Sequence, residues 1–191
     1  VIVRTAMKAP DPGGPRHQGA MSSNRDLRSS DAVAVSRDAP RKALLLAAFF
    51  AAYIVLDWLS YLHPMLPFRI TPWNPQAAVT ITLLMVYGQR WLAAVILAVV
   101  AAELLVRGAP HSALAVLAPS LVLSLGYAAI AYALARTVNT RLNTVGDIVR
   151  LIAIVTGGTL VLAVFYIGSL LASGVGTVAD YPRALLGFWI G

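Results

Sequence analysis

Residues 43–62 read ALLLAAFFAAYIVLDWLSYL, twenty positions with a single charge, Asp57. Arg41 and Lys42 stand before the stretch, and Trp58 and Tyr61 lie near its far end. A helix needs about 20 apolar residues to cross a hydrocarbon core of about 30 Å. Basic residues at one edge and amphipathic rings at the other suit the two interfaces. The stretch therefore predicts a transmembrane helix.

The same pattern recurs to the end of the chain. Apolar runs cover 77–87, 91–106, 112–135 and 148–173, and a last one begins at Ala184 and reaches Gly191. The chain has 191 residues, 59% hydrophobic and 12% charged, with mean hydropathy +0.75. Ordinary globular domains are about 45–50% apolar and about 25% charged, which argues against a soluble helical core. The expected fold is an all-α, polytopic membrane helix bundle of five spans plus the start of a sixth, occupying residues 43–191. A helix ending inside hydrocarbon leaves its last carbonyls unpaired, so the chain is expected to be a fragment of something longer.

Residues 1–42 hold 8 of the 15 Lys and Arg residues. Stretches such as DPGGPRHQG and SSNRDLRSSD bury too little apolar surface to fold, so a disordered basic tail is expected. It lacks the apolar segment of a secretory leader. Met21-Ser22-Ser23-Asn24 resembles a natural start, and residues 1–20 are expected to derive from an upstream start site.

With the tail in the cytoplasm, the inner joints carry Arg37, Arg41, Lys42, Arg90, Arg136, Arg141 and Arg150. The outer joints carry Arg69, Arg107 and Arg183. This asymmetry predicts a cytoplasmic N-terminus. The basic residues flank apolar segments and have no accompanying aromatic or glycine motif, so they argue topology and not nucleic-acid binding. The sequence contains no cysteine, which excludes disulfides, thiol catalysis and cysteine-ligated metal.

Ile70 to Gln76, ITPWNPQ, precedes the short second span. Pro72 and Pro75 fix φ and bias Thr71 and Asn74 away from helix. Asn74 is expected to cap a helix whose first residue is Pro75. That helix would run 13 residues to Gly88, about 20 Å. Such a helix starts below the outer surface, and its N-terminal dipole faces whatever lies there. Two readings stay open: a capped loop with Trp73 at the interface, or a re-entrant element in which Trp73, Asn74 and Pro75 line a ligand pocket.

Asp57 in the first span and Glu103 in the third are the candidate intramembrane site, with Arg107 beside them. Acidic residues inside spans are costly and face the bundle interior or water. They either snorkel to the outer interface or share a site with Arg107, His63 or His111. The two histidines and two carboxylates could ligate a divalent metal, but no spacing signature supports this, and no metal or cofactor is expected. No catalytic constellation or phosphate-binding glycine loop is present, so the chain itself is not expected to be an enzyme. Gly157, Gly158 and Gly168 in the fifth span, and Ala94, Ala98 and Ala102 in the third, suit close helix packing. Pro119 should kink the fourth span.

Trp73-Asn74-Pro75, Gly88-Gln89-Arg90 followed by Trp91, and Phe188-Trp189-Ile190-Gly191 together resemble the membrane-associated sensor (MASE-type) domains, over about residues 43–191. Where that family has a glycine soon after the proline, this chain has Gln76, Ala77 and Ala78. The resemblance implies a multi-pass sensory input module in a bacterial inner membrane. It also implies a cytoplasmic histidine kinase or diguanylate cyclase output region beyond this chain, dimerisation through that region, and an unknown small ligand or membrane-state signal. A small membrane transporter, or the substrate-binding component of one, is the alternative, and a purely structural anchor is a third.

Overall fold

A computed structural model describes residues 20–61, 68, 73–108, 112–138 and 143–190, and of residues 20–39 only the helical backbone. Every regular element among them is helical: α1 Ala20–Ser60, α2 Pro75–Tyr87, α3 Leu92–Leu105, α4 Ala113–Thr137, α5 Val145–Ala172 and α6 Tyr181–Ile190. Single 3₁₀ turns occupy Gln89–Trp91 and Val178–Asp180. The chain divides into two units, Val1–Leu44 and Leu45–Gly191.

Among the described residues, three helices are long and apolar enough to cross a membrane: Pro40–Ser60, α4 and α5. The distribution of polarity supports a membrane setting. Leu105, Val145 and Ile190 are more than 70% exposed, whereas Asp57, Thr80 and Ser124 are fully buried. Many large apolar side chains exposed together with buried polar ones suit a surface that faces lipid. A bilayer covers it without further protein.

Local chemistry sets the helix ends. The Ser112 hydroxyl accepts from the Ala115 N–H at 3.2 Å and starts α4. Thr144 does the same for α5, accepting from the Asp147 N–H at 3.1 Å while its hydroxyl donates to the Asp147 carboxylate at 2.8 Å. Gly88 ends α2 at φ 85°, a conformation that favours glycine. Helix α2 begins at Pro75 and has 13 residues, as the proline placement predicts.

Residues 1–19 lie outside the described residues. One expectation, the Asn74 cap, meets a different structure. Asn74 occupies the N-cap position, but its side chain makes no capping bond to the helix. Its ψ of 63° is not the extended cap geometry, and its amide oxygen accepts from Gln76 Nε2 at 3.3 Å instead. Pro119 lies inside α4 and is buried.

The core forms where α4 meets α5, α3 and α2. Small residues bring the helices close: Ala98 and Ala102 of α3 are buried, and Gly158 of α5 lies against Ile130 of α4. Gly157 and Gly168 face open space. The α2–α3 turn meets α4 part-way along, where Gln89 Nε2 donates to the Ala128 carbonyl at 3.1 Å. Helix α6 runs antiparallel to α5. Tyr181 donates to the Val164 carbonyl at 3.1 Å and Trp189 to the Thr156 carbonyl at 3.0 Å. Eight residues forward on one helix match eight back on the other.

Candidate functional site

The core-facing stripe of α1 is Phe49, Tyr53, Asp57 and Ser60, all buried. Their spacing of four, four and three puts them on one helical face, so Asp57 sits in the stripe that packs inward. On α2 the inward positions are Gln76, Thr80, Leu83 and Leu84. The inward stripes of both helices thus carry polar side chains toward one end of the bundle.

Arg107 joins them. It stands one helical turn after Glu103, just past the end of α3. Side chains tilt toward the helix N-terminus, so its guanidinium reaches back over the last turn. Nη1 pairs with the Glu103 carboxylate and lies 3.3 Å from the Tyr166 hydroxyl on α5. Nη2 donates to Asp57 Oδ1 at 2.8 Å. Gln76 Nε2 donates to the same Oδ1 at 3.0 Å. Thr80 donates to the Gln76 carbonyl at 2.8 Å, one turn below. Tyr53, Tyr127 and Tyr166 are buried and within electrostatic reach of Arg107 and Asp57.

The side chain of Asp57 is 1% exposed, that of Arg107 11% and that of Glu103 14%. These are buried ionisable groups, held by partners on different helices. Taking charges out of water costs several kcal/mol per ion, about what good geometry can return. An ion cluster in an apolar bundle therefore marks a place where polarity is used.

Of the candidate residues, the structure brings Asp57, Glu103 and Arg107 into one network. Pro75 opens the helix that carries Gln76 into it, and Asn74 contacts the Gln76 amide. Trp73 is 57% exposed and stands apart from the buried network. His63 and His111 lie outside the described residues, and among the described residues no group of three or more His, Asp or Glu could hold a metal. Arg107 is not a free joint cation, since it is engaged with α1, α3 and α5. Gln76 and Tyr166 escaped the sequence reading. An amide directly after the N1 proline, in a helix otherwise almost wholly apolar, was the available signal for Gln76; Tyr166 gave none.

Two grooves open between helices elsewhere. One of about 550 Å³ lies between α4 and α5, lined by apolar residues including Gly126, Gly157, Val161 and Phe165. The other, about 250 Å³, lies between α1 and α2. Neither includes the ion cluster. No family model, curated protein or solved structure matches this chain.

Proposed function

We propose that this chain is the integral-membrane sensory input module of a bacterial signal-transduction protein, with a histidine kinase or diguanylate cyclase as its output. In this reading α1 to α5 make five crossings of the inner membrane, α6 enters a sixth, and the N-terminal tail is cytoplasmic. Helices α2 and α3 are short, at about 20 Å each. The α2–α3 pair enters and leaves at the same end, so the orientation of later helices is the same whether or not the pair crosses fully.

The observation that carries the proposal is the Asp57–Arg107–Glu103 cluster with Gln76 beside Asp57. Its members come from α1, α2 and α3, and Tyr166 of α5 touches it. A change of charge or occupancy there alters the contacts of four helices at once. That is the differential interaction a two-state receptor requires. The sequence resemblance through Trp73-Asn74-Pro75, Gly88-Gln89-Arg90 and Phe188-Trp189-Ile190-Gly191 points the same way.

The test is signalling by the intact parent protein. Asp57→Asn and Glu103→Gln are expected to insert and to change kinase or cyclase output. Unchanged output from both variants, across pH and candidate ligands, would remove the site from signalling. A coding sequence that runs from Gly191 into no output domain, with solute uptake by vesicles holding the protein, would point instead to a transporter.

A further inference from the structure

Two acceptor atoms in the cluster have no hydrogen-bond partner among the described residues. They are Asp57 Oδ2 and Gln76 Oε1, both sealed from solvent. Asp57 is 0% exposed and Gln76 1%. A buried polar atom left unsatisfied costs about 1–3 kcal/mol, so two on adjoining side chains call for a common explanation. The partnered halves of the same groups already face each other, with Gln76 Nε2 donating to Asp57 Oδ1 at 3.0 Å.

An amide and a carboxylic acid pair through a ring of two hydrogen bonds. The amide N–H donates to the acid carbonyl, and the acid O–H donates to the amide oxygen. The observed bond is the first of these. The two unpartnered oxygens are the atoms of the second. An ionised carboxylate has no donor to close the ring, whereas a protonated one has.

The charges agree. The cluster holds one cation, Arg107, and two carboxylates, Asp57 and Glu103. Glu103 neutralises Arg107 from one turn away on the same stretch of chain. Asp57 is the surplus negative charge in an apolar interior. The other titratable groups facing it are Tyr53 on its own helix, Tyr127 on α4 and Tyr166 on α5. None of these is a cation.

We infer that Asp57 and Gln76 form a proton-binding site, in which Asp57 Oδ2 carries a proton and donates it to Gln76 Oε1. The proton comes from water and is the ligand of the site. The sealed oxygens leave the smallest cation as the fitting occupant. Loss of the proton leaves Gln76 Oε1 without a donor and gives the single cation Arg107 two negative partners, a net negative charge that loosens the contact between α1 and α2. The inference holds whether the bundle serves a sensor or a transporter, because it concerns this contact alone.

Infrared spectroscopy of the full chain in lipid vesicles, with ¹³C-labelled aspartate, tests it. At neutral pH a carboxylic-acid C=O band is expected that shifts with the label and is missing in Asp57→Asn. In Gln76→Leu the band should move to higher wavenumber, because the O–H loses its acceptor. Asp57→Asn carries a donor where the proton would be. It should fold, melt no lower than the wild type, and lose the fall in melting temperature that the wild type shows as pH is raised. Absence of the aspartic-acid band would overturn the inference, as would its persistence in Asp57→Asn or its indifference to Gln76→Leu. Failure of Asp57→Asn to fold would show that the bundle needs the charge. A band that vanishes when sodium replaces choline at constant pH would identify a metal cation as the occupant.

Discussion

Gly158 of α5 packs so closely on Ile130 of α4 that a methyl group at position 158 would stand 2.7 Å from Ile130 Cγ1. Contact at that distance is overlap, and Ile is stiff at its branched carbon. The α4–α5 interface therefore depends on the missing side chain. Overpacking typically costs about 1–3 kcal/mol, and Gly158→Ala is expected to lose that much in reversible unfolding from mixed micelles. Gly157 has nothing within 4 Å of the same added methyl, so Gly157→Ala should be neutral or slightly stabilising. Pairing Gly158→Ala with Ile130→Ala should recover part of the loss. Equal effects of the two single glycine changes would show that helix propensity, and not the Ile130 contact, sets the result.

The order of helices could be read from the apolar runs because membrane spans announce themselves by length and composition. The start of α2 was legible for a local reason: proline at N1 and glycine at the end leave little choice of boundaries. What could not be read is rotation. Arg107 looks like an ordinary positive residue at a joint until α3 is turned so that its last stripe faces Asp57. Gln76 looks like one more polar residue of the loop, and only packing against α1 gives it a partner. Asn74 shows the limit of a residue preference, since the favoured side chain stands at the cap position and bonds elsewhere.

Arg107 is the only cation in the described cluster, so its removal leaves the Glu103 carboxylate without its partner. Breaking a buried pair by deleting one partner costs roughly 3–5 kcal/mol. Arg107→Gln should lower stability by about that amount, whereas Arg107→Lys should retain part of it, because an ammonium cannot bridge Asp57 and Glu103 with a planar fork. Adding Glu103→Gln to Arg107→Gln removes the stranded charge and should recover stability. Denaturation curves of the four proteins in one detergent give the comparison. Equal stability of wild type and Arg107→Gln would mean that the cluster contributes no net energy.

Orientation gives a third prediction. Arg107 is held within the bundle, so in the proposed topology it does not count as a signal at an outer joint, and the asymmetry of Lys and Arg becomes seven inner against two outer residues, Arg69 and Arg183. Reporter tags after Arg141 should be cytoplasmic, and tags after Gly174 periplasmic. A periplasmic tag at Arg141 would invert the bundle and place the Asp57–Arg107 end toward the cytoplasm.

The last prediction concerns water at the start of α2. Trp73 is 57% exposed and Thr80 0%, although only seven positions separate them. Two turns into α2, the chain passes from the outside of the bundle to its packed interior, where Thr80 donates to the Gln76 carbonyl. The sequence contains no cysteine, so single cysteines report cleanly. A membrane-impermeant thiol reagent applied from the outer side should label Trp73→Cys and leave Thr80→Cys unreacted until the protein is denatured. Trp73→Ala should then change stability by less than about 0.5 kcal/mol, as a surface substitution away from packed features does. Asn74→Ala should act through the Gln76 amide and not through a lost helix cap. Its effect should therefore shrink when Gln76→Leu is already present, whereas a capping role would cost the same in both backgrounds. Labelling of Thr80→Cys in the folded protein would reveal a wet passage along α2 to Gln76, and would favour the reading of this segment as the wall of a ligand pocket.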